Sequence, residues 1–149
     1  MPHFSLQISP KGAVISAFIG ISIPRRDVLK AAGQTIPDLV QVQAMIDTGA
    51  SATCLDPVVL KTLNLTPTGS TTIETPSTQG KPVVVDQYDV SFFVPPADLK
   101  QIPLIMDTLP VVCVQLLDSF GYHALIGRDI LEKCILIYNG STKLFTVSY

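Results

Sequence analysis

An all-β fold is what this chain predicts, on three observations. Its apolar segments are short, rich in β-branched residues and separated by Pro, Gly, Asn or Asp, the rhythm of strands joined by turns. Asn139-Gly140 stands between the last two of these segments, a strong hairpin pair because both residues tolerate positive φ. Only two stretches carry helix-start signals, and both are short. No internal repeat or low-complexity tract interrupts the pattern. A length of 149 residues fits a single domain over 1–149, large enough for its own core and too short for two comfortable lobes.

In chain order the strands are expected at 4–9, 13–23, 39–46, 70–75, 82–94, 111–117, 135–138 and 143–148. The run Gly12 to Ile23 is apolar and flanked by Lys11 and Arg25-Arg26. Its β-branched content and thin positive flank read as a strand and not as a signal peptide, and it is too short to span a bilayer. The first helix is expected over 56–65, with Asp56 as N-cap and Pro57 at the first helical position. The second is "RDILEKC", 128–134. Segments 24–38 and 95–110 are punctuated by proline and read as loops with a helical turn at most, the places where insertions are tolerated.

Composition narrows the function. Charged residues are 15% of the chain against about 25% in an average domain, a charge-poor surface that suits burial against a partner. A net charge of −2 gives no basic footprint, so nucleic acid is not an expected partner. Cys54, Cys113 and Cys134 cannot all pair within one chain and lack metal-type spacing. They read as free thiols in a reducing, cytoplasmic setting, with no metal or other cofactor implied. His3 and His123 have no accompanying ligand cluster and read as surface or packing residues.

The chemistry concentrates in "QAMIDTGASATCL", residues 43–55. An apolar strand carrying Val42, Ala44 and Ile46 runs into Asp47-Thr48-Gly49, and Gly49, Ala50 and Ser51 are small enough to let another backbone approach. A turn aspartate closing a strand would explain Asp47 alone. A second landmark, "HALIGRDIL" at 123–131, changes that balance: an apolar pair ending at Ile126, then Gly127, Arg128, Asp129 and a short helix. Ser51 is no serine nucleophile, since G-x-S-x-G is absent.

The two landmarks together resemble the retropepsins, the retroviral-type aspartic proteases, over roughly residues 40–149. The resemblance implies a closed-barrel half-site with short helices, a homodimer, and cleavage of peptide bonds in a peptide or protein substrate by a water held between two Asp47 carboxylates, one per subunit. Thr48 would bond across the two-fold axis through its hydroxyl, and Gly49 would let the loop turn. Ala50, Ser51, Ile126, Gly127, Arg128 and Asp129 would support the site structurally, with Arg128 orienting the interface and Asp129 capping the helix. Residues 70–94 match the family's flap hairpin, with its turn at Pro76, Ser77, Thr78, Gln79 and Gly80. The terminal strands, which interleave at the family's dimer interface, fall at 4–9 and 143–148.

Two departures from the viral pattern stand out. Viral enzymes often place an acidic residue where this chain has Ser51, which leaves Arg128 to find another partner. Viral flaps are glycine-rich, whereas this one has Gly80 near its tip. The longer loops are more in keeping with a cellular or bacterial relative. Asp107-Thr108-Leu109 lacks the glycine, Asp118-Ser119-Phe120-Gly121 has an extra residue before it, and Asp129 belongs to the second landmark. None of them resembles a catalytic loop, so a second copy of Asp47 is the simplest source of the missing carboxylate. The alternative is a non-catalytic dimeric peptide-binding module with the same fold.

Overall fold

A computed structural model describes residues 1–75, 78–96, 98 and 100–149. Among these, ten strands and four short helices follow in the order β1 (His3–Gln7), β2 (Val14–Ile21), α1 (Ile23–Ala31), β3 (Val40–Ile46), β4 (Cys54–Leu55), α2 (Pro57–Thr62), β5 (Gly69–Ile73), β6 (Val83–Val94), β7 (Leu104–Cys113), α3 (Leu117–Phe120), β8 (Ala124–Ile126), α4 (Arg128–Leu131), β9 (Ile135–Asn139) and β10 (Leu144–Ser148).

Seven strands form one sheet in the order β2-β3-β8-β4-β7-β6-β5, and a further pairing of β2 with β6 closes six of them into a barrel. Closure removes the exposed edges that an open sheet would leave. Phe18 lies opposite Phe93 at the seam, their rings tilted with centroids 6.0 Å apart, a geometry that aromatic pairs favour. Alternate residues of β2 turn inward, so Ile15, Ala17 and Ile19 are buried with Val42 and Ala44 of β3, Val90 and Phe92 of β6, and Val111 of β7. That period of two makes these apolar runs strands. Among the described residues β5 pairs with β6 alone, from Gly69↔Gln87 to Ile73↔Val83, in the hairpin that the sequence reading matches to a flap.

The chain termini form a separate three-stranded sheet, β1-β10-β9. Phe4, Phe145 and Val147 tie it to the main core. β10 is paired on both sides, to β1 (His3↔Ser148 through Gln7↔Leu144) and to β9 (Leu144↔Asn139 through Ser148↔Ile135). Within the chain, β1 thus occupies one edge of β10, and the outer edges of this sheet belong to β1 and β9.

Other differences from the sequence reading have local causes. Residues 24–38 were expected as a loop, yet α1 spans nine residues. Pro24 sits in its first turn, where a missing N–H costs nothing, but none of its residues is buried, so no apolar stripe announced it. The segment 95–110 contains most of β7, which tolerates Pro110 beside a register shift between Val90 and Phe92. β4, β8 and α3 are too short for any periodicity to register. At the β9–β10 turn, positive φ falls on Lys143 and not on the Asn-Gly pair. Asn139 acts through its side chain, whose Oδ1 accepts from Ser141 and Thr142. No helix among the described residues is long and apolar enough to cross a membrane.

Candidate active site

Two strands running parallel create the site. β3 pairs with β8 from Ala44↔Ala124 to Ile46↔Ile126, which brings the ends of both landmarks side by side. The ladder continues one step further, with the Asp47 N–H donating to the Ile126 carbonyl at 3.0 Å. Asp47 therefore leaves the sheet at a fixed point. Its Oδ1 accepts from the Gly49 N–H at 2.9 Å, and the Ala50 N–H closes the turn onto the Asp47 carbonyl at 3.2 Å. Among the described residues no hydrogen bond reaches Oδ2, which is left for a water, a substrate or a second carboxyl group.

Arg128 finds its partner in the backbone of the Asp-Thr-Gly loop. One guanidinium nitrogen donates to the Thr48 carbonyl at 3.1 Å and to that of Gly49 at 3.3 Å, and its own N–H donates to the Ala50 carbonyl at 2.9 Å. The absence of an acid at Ser51 is thereby explained: two carbonyls replace the carboxylate, and Ser51 stays exposed. Gly127 is required for this contact, because a Cβ there would lie 2.5 Å from the Ala52 carbonyl carbon and 2.9 Å from the Thr53 nitrogen.

Asp129 is not the cap the sequence predicts: Gly127 holds the N-cap position of α4 and Asp129 lies within its first turn. Its Oδ1 accepts from the Ile130 N–H at 2.9 Å and the Thr53 hydroxyl at 2.8 Å, while Oδ2 accepts from the Thr53 N–H at 2.8 Å. Both oxygens are committed, so this carboxylate is structural. Thr53 is 1% exposed, and its hydroxyl also accepts from the Gly127 N–H at 3.2 Å. Sequence reading missed Thr53, since nothing local links it to a residue 76 positions away.

Asp56 is a buried carboxylate, 3% exposed. It caps α2 through the Val58 N–H as the sequence predicts, and its other oxygen accepts from Leu116 and Leu117 at 2.8 Å each. Burial pushes its carboxyl upward, but the N–H groups of Leu117, Val58 and Leu116, helped by His123, outweigh that and hold it below the ordinary aspartate value. It thus pins the chain after the active-site loop to the start of α3.

These elements frame an open cleft of about 390 Å³. Asp47, Gly49, Ala50 and Ser51 line one side, Ile73, Glu74 and Thr75 of the flap another, and Cys54, Val112, Val114 and Leu125 form an apolar wall. Burial, with the nearby Asp129 and Asp47 carboxylates, pushes the Cys54 thiol up to about 11, so it is a neutral packing group at working pH. Glu74 and Val114 also escaped the sequence reading. Thr48 is exposed, and its hydroxyl has no partner among the described residues. In the flap, Thr78 bonds back to Thr75, and Gln79 and Gly80 take positive φ. Pro76 and Ser77 lie outside the described residues. No cluster of three or more potential metal ligands occurs among the described residues.

The family model described as "Aspartyl protease" matches residues 33–129, from before β3 to Asp129. The chain belongs to the aspartyl protease family. A retropepsin-like aspartic protease from Rickettsia conorii superposes over 99% of this chain and 90% of that one, with a TM-score of 0.60 at 16% identity. The aspartyl protease fold here is thus retropepsin-like. A foamy viral protease–reverse transcriptase bound to an RNA/DNA hybrid aligns with 62% of this chain and 10% of its own, at 18% identity and a TM-score of 0.43. No curated protein sequence matches. The matched segment of this family member contains the Asp47 loop, the flap and the cleft wall, while β1, β2, α1, β9 and β10 lie outside it.

Proposed function

We propose that the protein is an aspartic endopeptidase that works as a homodimer, with Asp47 of each subunit forming the catalytic pair. The observation that carries this reading is the state of Asp47: one carboxylate oxygen is fixed by Gly49, the other is unpartnered, and the group faces a cleft that no other aspartate lines among the described residues. Asp129 is nearby but fully bonded. A second copy of the loop supplies what one chain lacks.

Two carboxylates about 4 Å apart repel by about 4 kcal/mol at an effective dielectric of 20. That repulsion favours one proton shared between the two. The ionised partner takes a proton from a water bound between them as that water attacks the scissile carbonyl. The protonated partner donates to the carbonyl oxygen. No acyl-enzyme forms.

The unpartnered Thr48 hydroxyl supports a bond across the axis, and Arg128 holds the two carbonyls beside it. An extended peptide in the cleft gains strand-like hydrogen bonds under the flap, and its side chains meet Ile73, Val112, Val114 and Leu125. The test is peptide cleavage between pH 4 and 7 over a protein dilution series. Specific activity that falls on dilution and is greatest at mildly acidic pH supports the reading. Binding of peptides without cleavage at any pH would favour a peptide-binding module.

A further inference from the structure

Beside Asp47, one other carboxylate lines the cleft among the described residues: Glu74, directly after β5. Its side chain has no hydrogen bond or ion pair among the described residues, and no lysine or arginine lines the cleft with it. Thr75, the next residue, is bonded to Thr78: the Thr78 hydroxyl donates to the Thr75 carbonyl at 2.8 Å and accepts from the Thr75 N–H at 3.1 Å. Glu74 thus leaves a fixed strand end, with Ile73 before it and the apolar wall of Val112, Val114 and Leu125 in the same cleft.

An apolar wall with an acid at its rim suits a side chain that is apolar along its stem and cationic at its tip. Lysine and arginine have that build: the methylenes pack on the wall while the charged head reaches an oxygen at the edge. We infer that Glu74 is a specificity-determining residue that selects substrates with a lysine or arginine in the subsite between the flap and the Val112–Val114 wall. This rests on the protease reading of Asp47. Glu74 acts on the substrate side chain and takes no part in the proton transfers.

The experiment uses a peptide library to find a cleaved sequence and then compares two peptides that differ at one position, lysine against norleucine. The stems match, so the difference isolates the charge. Wild type is expected to favour the lysine peptide in kcat/KM by about fivefold, the scale of a solvent-accessible ion pair, and the preference should shrink with added salt. Glu74→Gln should bring the ratio to one while still cutting the norleucine peptide, and Glu74→Lys should turn the preference against lysine. An unchanged ratio in Glu74→Gln would overturn the assignment. If wild type cuts no peptide, the protease reading falls, and the same pair compared by binding decides Glu74 on the same criterion.

Discussion

The Asp47 loop and the segment Ile73 to Thr75 line the same cleft, but the loop and the turn that follows Thr75 are held by different means. The loop from Asp47 to Thr53 is bound from a distance, by Ile126, Gly127, Arg128 and Asp129, residues 74 to 80 positions away. The described flap tip is bound by its own neighbours, Thr75 to Thr78 and Thr78 to Lys81. Position of the carboxylate is thus a property of the barrel, since it can shift only if two strands part. The Thr75–Thr78 and Thr78–Lys81 bonds are local to the turn, so a change at Thr78 should leave the core undisturbed.

If that contrast is right, changes in the loop should be costly and changes in the flap mild. The largest effect belongs to Asp47→Asn. It removes the proposed proton-transferring carboxyl and should lower kcat by about 10²- to 10⁴-fold or more, the range of general acid–base catalysis, with the melting temperature little changed. Gly127→Ala comes next. Its Cβ meets backbone that cannot rotate away, so a stability loss of about 3 kcal/mol, measured by denaturant titration, should accompany loss of activity.

Asp56→Ala tests whether the same distant bonding extends past the loop. Three N–H groups lose their acceptor, at a cost of about 2 kcal/mol. Because the folded carboxyl lies below its unfolded value, its stabilisation is present above the ordinary carboxylate range and fades as pH falls through the lowered value. The gap between wild type and variant in thermal melts should therefore close below about pH 4. Thr78→Ala should do least to the fold, within about 0.5 kcal/mol, and should raise KM more than it lowers kcat. Equal stability losses in Gly127→Ala and Thr78→Ala would break the contrast.

The same division decides what could be read from the sequence. Asp47, its supporting strand, the Asp56 cap and the second landmark are contiguous patterns, and each was legible. So were the flap strands and the final hairpin, although its turn uses Lys143 for positive φ where the Asn-Gly pair was expected to supply it. Thr53 was invisible because its importance lies in Asp129, far along the chain. Short strands such as β4 and β8 owe their existence to neighbours and not to their own periodicity. The exposed helix α1 lacks the apolar stripe that would mark it. The pairing of β1 with β10 in one chain was hidden for a related reason: the sequence shows which segments are strands, while the strand beside each is set by the closed chain.

The most direct test of the shared site is subunit mixing. A fixed amount of wild-type chain is refolded with increasing Asp47→Asn chain, and cleavage is followed. If each catalytic pair takes one Asp47 from each of two chains, an equal amount of variant lowers activity to about half, and a large excess abolishes it as wild-type chains are drawn into mixed dimers. Activity that stays constant however much variant is added would contradict the shared site and place the second carboxylate within one chain.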